Sequence, residues 1–151
     1  MRKLIYTFLL LSTGMSSYAQ RTEDSVKAVV NALFEGMKNA DAEKIRNCFD
    51  DSAILQTIGR AKDGRIVVRN EKVSEFADYV GKQQKGVADE RIAFETVKID
   101  GPMAIAWTPY QFYYNGKFSH CGVNMFQLIN LNGQWKIHFL IDTRRKEGCA
   151  Q

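Results

Sequence analysis

Residues 103–145, MAIAWTPYQFYYNGKFSHCGVNMFQLINLNGQWKIHFLIDTRR, decide the fold. Two Asn-Gly pairs, Asn115-Gly116 and Asn132-Gly133, interrupt runs of apolar and aromatic residues. Both residue types tolerate the positive φ of a type I′ turn, so each pair predicts a tight hairpin and the stretch reads as three long strands in an antiparallel meander. A two-residue turn at Asn132-Gly133 sets Leu131 opposite Gln134, Leu128 opposite Ile137, Phe126 opposite Phe139, Asn124 opposite Ile141 and Gly122 opposite Thr143. That face, with Trp135, is apolar and is expected to point inward. Lys136, His138, Asp142 and Arg144 then point outward. A slip of one residue would bury Lys136 against Leu128, so burial favours the first register.

The same treatment of Asn115-Gly116 pairs Gln111 with His120, Trp107 with Asn124 and Ile105 with Phe126. The inward side then holds Trp107, Gln111, Tyr113, Phe118, His120 and Asn124. Pro109 cannot donate to a ladder and argues for an edge or a bulge, which would exchange Gln111 for Tyr110. The outward side keeps Tyr110 or Gln111 with Phe112 and Tyr114. Such an exposed aromatic load is expected at an interface, so a homodimer through the outer sheet face is the expectation.

Upstream, residues 22–38 place Val26, Val29, Val30, Leu33, Phe34 and Met37 at helical spacing, one apolar stripe. Asp41 caps a short second helix with Ile45, Cys48 and Phe49 inward. Residues 53–58 read as a strand, Asp63-Gly64 as a turn and residues 65–69 as a second strand. Asn70 opens a third helix carrying Val73, Phe76, Ala77 and Val80 on one side. Residues 91–99 alternate with a slip at Glu95-Thr96, a strand with a bulge. Asp100-Gly101-Pro102 then turns the chain into the meander, giving the order ααββαββββ. There is no internal repeat, low-complexity linker or second domain.

Residues 1–19 read as a secretory signal peptide. Arg2 and Lys3 precede an apolar run, and Ser17-Tyr18-Ala19 offers small residues for cleavage before Gln20. The run is shorter than the about 18 residues that span a bilayer, so no membrane span is expected in the mature chain. Residues 20–151 then form one exported domain, periplasmic or extracellular. Without Arg2 and Lys3 the chain carries 19 basic and 17 acidic residues, net +2. No basic run is interleaved with aromatics, so nucleic acid is not an expected partner. The one basic cluster, Arg144-Arg145-Lys146, reads as a solvated rim. Of the three cysteines, Cys48 reads as a small buried hydrophobe. Cys121 and Cys149 fall near the same end of the sheet and are the pair that an oxidising compartment could join; all three reduced is the alternative.

This pattern resembles the nuclear transport factor 2-like superfamily, whose members include SnoaL-like cyclases and ketosteroid isomerase. The likeness rests on the element order, on Phe49-Asp50-Asp51-Ser52-Ala53 entering the first strand, and on the hairpin from Asn132 to Ile137. More narrowly, Phe118-Ser119-His120-Cys121-Gly122, Asp142-Thr143-Arg144-Arg145 and Cys149 resemble a bacterial branch described as putative lumazine-binding. The resemblance implies an α+β, cone-shaped, cystatin-like fold. Three N-terminal helices would pack on a curved, mostly antiparallel sheet around a deep pocket, often in a dimer. Ketosteroid isomerases carry a catalytic carboxylate in the first strand where this chain has Gln56 and Thr57, so that mechanism does not carry over.

His120 is the leading candidate for chemistry, because imidazole exchanges protons near neutral pH. The blander reading is a core histidine satisfied by Gln111. Trp107, Gln111, Tyr113, Phe118, His120 and Asn124 together suit a small apolar or aromatic ligand. His138 is expected on the surface, and Asp142 on the face opposite His120. Asp50 and Asp51 read as solvating or capping groups. No set of residues has metal-ligand spacing, no glycine-rich phosphate loop follows a strand, and no cofactor is expected. Adjacent strand residues face opposite ways, which excludes a His120–Cys121 nucleophile pair. Three readings follow: a small-molecule-binding domain; a cofactor-independent isomerase, cyclase or dehydratase using His120 as general acid or base; or a structural domain whose pocket is filled by its own side chains.

Overall fold

The computed structural model describes residues 13–149, with side chains from residue 20 onward. The expected leader therefore lies outside the described residues, apart from the backbone of residues 13–19. Here the chain is already helical: α1 spans Thr13–Asn39 and so begins earlier than residue 22, with no proline to stop it. Val26, Val30, Leu33, Phe34 and Met37 form its buried stripe. Ala40 turns into the left-handed region, and the Asp41 amide bonds the Gly36 carbonyl at 2.8 Å to close the helix. Asp41 then caps α2 (Ala42–Cys48), its carboxylate accepting from the Lys44 amide at 2.9 Å.

The chain continues as β1 (Phe49–Arg60), β2 (Ile66–Glu71) and α3 (Val73–Gly81), followed by β3 (Ala88–Ile92), β4 (Thr96–Asp100), β5 (Met103–Tyr114), β6 (Lys117–Leu131) and β7 (Gln134–Thr143). The sheet order is β2-β1-β7-β6-β5-β3, with β4 also on β5. Among the described strands the β1–β7 pair is parallel and the other pairs are antiparallel. The element order matches expectation except that residues 91–99 divide into two strands. Both pair with β5, but Ile92 faces Tyr110 while Thr96 faces Trp107, which leaves one residue too many between them. The interruption lies opposite Pro109, which accepts from the Ala93 amide through its carbonyl but has no N–H to return.

Both Asn-Gly turns form as expected, with φ of 51° and 74° at Asn115-Gly116 and 53° and 90° at Asn132-Gly133. The registers hold near the turns and then change. Leu128 faces Ile137, but Gln127 faces Phe139, so His138 is unpaired. Tyr113 faces Phe118, but Phe112 faces His120, so Ser119 is unpaired. Beyond each bulge the faces exchange. Asn124 now pairs with Asp142 rather than Ile141, and Thr108 rather than Trp107 pairs with Asn124.

The core lies between the helices and the inward sheet face, where Ala104, Ala106, Phe126, Leu128, Ile137 and Leu140 meet the stripe of α1. Phe34 packs edge-on against Phe126 at 6.2 Å between ring centres. Gly122 sits where no side chain fits: a Cβ there would lie 1.8 Å from the Thr143 carbonyl oxygen and 2.7 Å from Cε1 of Tyr110. Gly122→Ala is expected to destabilise the domain by about 3 kcal/mol or more, since relief requires moving backbone or displacing Tyr110. Equilibrium urea denaturation checks this; a loss below about 1 kcal/mol would mean the contact relaxes freely.

Candidate functional site

A cavity of about 670 Å³ lies between α1, α3 and the inward face of the sheet. The helices supply an apolar wall: Leu33, Phe34 and Met37 from α1, Phe76, Tyr79 and Val80 from α3. Leu55, Ala88, Phe112 and Leu140 of the sheet continue it. The polar wall comes from strands, Thr57, Glu71, Glu90, Ser119, His120, Asn124 and Asp142, with Arg144, Arg145 and Lys146 just beyond β7.

Asp142 is the centre of the polar wall. It is buried, 7% exposed, and its carboxylate accepts from the Thr57 hydroxyl, from Arg144 Nε at 2.9 Å and from the Tyr110 hydroxyl at 3.3 Å. Tyr110 also donates to the Thr143 carbonyl at 2.9 Å, its ring lying over Gly122. Arg144 reaches Thr57 Oγ1 as well, at 3.2 Å. Burial works against the charge of Arg144, but Asp142 outweighs it and raises the Arg144 pKa. Burial, with Asp142 adding to it, raises that of Tyr110, so its phenol stays a donor at neutral pH.

Glu90 stands across Asn124 from this group. The buried Asn124 donates Nδ2 to Glu90 Oε1 at 2.8 Å. Among the described residues no cation bonds Glu90, and burial pushes its carboxyl up to about 7; the Asn124 amide and Arg144 oppose the rise, while Asp142 adds to it. Glu71 is also raised by burial, against the pull of Arg144. His120 is half-buried, its Nδ1 3.0 Å from Ser119 Oγ and its ring against Phe112 and Tyr110 at 5.0 and 5.7 Å. Burial lowers its pKa, and Arg144 and Lys146 lower it further against the opposing pull of Asp142. Near pH 7 the polar wall thus offers a neutral imidazole, a partly protonated carboxyl, an amide and a guanidinium.

His120 and Asn124, two of the six residues expected to form the site, line this cavity. Trp107, Gln111, Tyr113 and Phe118 do not. The unpaired Ser119 shifts the register by one, which puts Trp107, Gln111 and Tyr113 on the opposite face and brings Tyr110 and Phe112 inward with Tyr114 at the cavity. Trp107 and Phe118 are 44% and 46% exposed. Asp142, expected on the face opposite His120, shares the cavity with it because His138 bulges. His138 is partly exposed, its Nδ1 2.9 Å from Asp50 Oδ2. Burial opposes the charge of Asp50, but Ser52 and His138 outweigh it and hold the carboxyl below its ordinary range. Cys121 and Cys149 are joined by a disulfide, Cα atoms 5.7 Å apart, and Cys48 is free and buried.

The family model described as Putative lumazine-binding matches residues 21–138. The chain belongs to that family. The match ends before Asp142 and Arg144, so the centre of the polar wall lies beyond it. Solved structures show the fold to be NTF2-like, α+β and cystatin-like, across this putative lumazine-binding chain. An NTF2-like protein of unknown function from Shewanella baltica is 17% identical, with a TM-score of 0.65 over 90% of this chain and 99% of its own. An NTF2-like protein with a cystatin-like fold from Novosphingobium aromaticivorans is 13% identical, with a TM-score of 0.67 over 92% of each chain. A protein of unknown function from Mycobacterium tuberculosis is 16% identical, with a TM-score of 0.67 over 89% of this chain and 78% of its own. No curated protein matches.

Glu90 and Glu71 were not singled out from sequence, and Asp142, Arg144 and Thr57, although named there, were not expected at the site. Glu90 falls one residue before the stretch read as a strand, and β3 begins two residues before it, at Ala88. Its raised pKa gives stability a direction with pH. The folded chain holds this proton more tightly than the unfolded one, so its contribution is full below about pH 4.5 and is lost as pH rises through about 7. Glu90→Gln keeps an acceptor for Asn124 and removes that loss. It is expected to stabilise the domain by roughly 1–3 kcal/mol at about pH 8 and to change little at about pH 4, since each tenfold change in proton affinity is worth about 1.4 kcal/mol. Urea denaturation at both pH values checks this; equal effects at the two would remove Glu90 as the cause.

Proposed function

We propose that this is an exported domain, residues 20–151, that binds a small molecule with an apolar or aromatic body and a polar edge. The observation that carries this reading is the cavity of about 670 Å³, apolar on the helix side and polar on the strand side. Pockets of a few hundred cubic ångströms with a few convergent polar groups are typical of drug-sized ligands. A cavity of that size counts against a domain packed full by its own side chains. The family description makes lumazine the first ligand to try. Native mass spectrometry of the full chain expressed in an exporting host tests both parts. The expected polypeptide begins at Gln20 and carries a non-covalent adduct, or acquires one on adding lumazine; a chain that takes up neither host metabolites nor lumazine would count against ligand binding.

A second reading, an acid–base enzyme, is favoured by Glu90. A cavity-facing carboxyl near 7 is better matched to proton exchange at neutral pH than His120, whose basicity is reduced. If a ligand is turned over, loss of activity in Glu90→Gln with retention in His120→Ala would assign the proton transfer to Glu90.

The outer face supports a homodimer, through residues other than those expected. Ile54, Ile105 and Trp107 are 48%, 36% and 44% exposed there, beside partly exposed Met125, Phe139 and Ile141. Phe112 and Tyr114 belong to the cavity instead. Trp107→Lys is expected to convert a dimer to a folded monomer by light scattering after size exclusion; a wild-type chain that is already monomeric at high concentration would rule the interface out.

A further inference from the structure

We propose that the cavity selects ligands that carry an anionic group on an apolar, ring-sized body, with Arg145 and Lys146 receiving the anion at its rim. The proposal rests on the small-molecule reading above and narrows it to a ligand class. In a regular strand Arg144, Arg145 and Lys146 would alternate between faces. Here all three line one cavity, because β7 ends at Thr143 and the chain continues through a single bridge to β6.

That bridge makes the rim a built feature. The Arg145 amide donates to the Cys121 carbonyl and the Cys121 amide to the Arg145 carbonyl, each at 2.8 Å. The Cys121–Cys149 disulfide ties down the far end of the same segment. His120, on β6 one residue before Cys121, feels the result, since Arg144 and Lys146 both make its protonation harder.

Arg144 is matched by Asp142. The Arg145 guanidinium bonds the Gly148 carbonyl, at 3.3 Å from both Nε and Nη2, rather than a carboxylate. Lys146 forms no ion pair among the described residues. Of the other carboxyls that line the cavity, Glu90 accepts from the Asn124 amide, and neither it nor Glu71 forms an ion pair with Arg145 or Lys146 among the described residues. Glu147 is exposed and does not line the cavity. Two cations therefore remain at the mouth of a cavity whose opposite wall is Leu33, Phe34 and Phe76.

Two dyes that differ by one sulfonate group separate the rim from the cavity. 8-Anilinonaphthalene-1-sulfonate and N-phenyl-1-naphthylamine share one aromatic body, and only the first carries a sulfonate. Titrated into the full chain at low salt, the sulfonate is expected to bind about tenfold more tightly, equivalent to about 1.4 kcal/mol, with the preference shrinking as salt screens it. The double variant Arg145→Gln/Lys146→Gln is expected to bring the two affinities together while leaving that of the neutral dye unchanged, which also reports that the cavity is intact. Cys149→Ser keeps every charge but cuts the tether, and is expected to lose part of the preference; full retention would overturn the role given to the disulfide. Equal affinities in the native chain, or a preference that survives the double variant, would overturn the anion rim alone. Failure of both dyes to bind would overturn the small-molecule reading itself.

Discussion

A strand turns alternate side chains to opposite faces, so one unpaired residue transfers everything beyond it to the other face. Ser119 and His138 are such residues, and the polar wall depends on both. Without the bulge at His138, Asp142 would point away from the helices and Ile141 would take its place. Without the bulge at Ser119, Tyr110 and Phe112 would exchange with Gln111 and Tyr113. Bulges also bend and twist the strand that carries them, which is how a sheet comes to curve around a cavity instead of lying flat against helices.

The wall so formed is electrostatically demanding, and its parts differ in how that demand is met. Burying an unpaired carboxylate costs several kcal/mol, more than any exposed ion pair returns. At Asp142 the answer is three donors, one of them a guanidinium, and the close passage of Gly122 that lets Tyr110 lean across to it. At Glu90 there is one amide and, among the described residues, no bonded cation, so burial raises its carboxyl to about 7. The two carboxyls thus differ in character although they share a cavity. Asp142 is structural as well as polar, tying β1, β5 and β7 together. Glu90, on β3 beside Asn124, is the one whose protonation can change within the physiological range.

Most of the fold was legible because it rests on local chemistry. Positive φ at the two Asn-Gly pairs, the apolar stripe of α1 and the Asp41 cap each follow from a few neighbouring residues. The site was legible only near the turns that set the register. Leu128 against Ile137 and Tyr113 against Phe118 follow from counting back from Asn-Gly, but no local composition marks Ser119 or His138 as the residue to be skipped. Pro109 did signal an irregularity in β5, and it appears on the β3–β4 side, while the β5–β6 bulge lies elsewhere. Counting on past an unseen bulge inverted Trp107, Gln111 and Asp142, and kept apart two groups, His120 and Asp142, that the fold brings to one cavity.

The division of the cavity into an apolar and a polar wall follows from what each element must do to stay attached. α1 and α3 are held on the sheet by their buried stripes, so the residues they turn inward are nearly all apolar, and a polar substitution there would loosen the helix itself. The long strands are held by ladder hydrogen bonds that do not involve side chains, which frees their inward positions to change character along their length. β7 does so from Ile137 and Leu140 to Asp142 and then Arg144 beyond its end; β6 from Leu128 and Phe126 to Asn124 and His120; β5 from Ala104 and Ala106 to Thr108 and Tyr110. The apolar halves of these strands lie side by side and hold the helices. Their polar halves also lie side by side, where cross-strand neighbours can satisfy one another, as Thr57, Asp142 and Asn124 do with Arg144 and Glu90. Chemistry at the polar end can therefore change without disturbing the packing that holds the domain together.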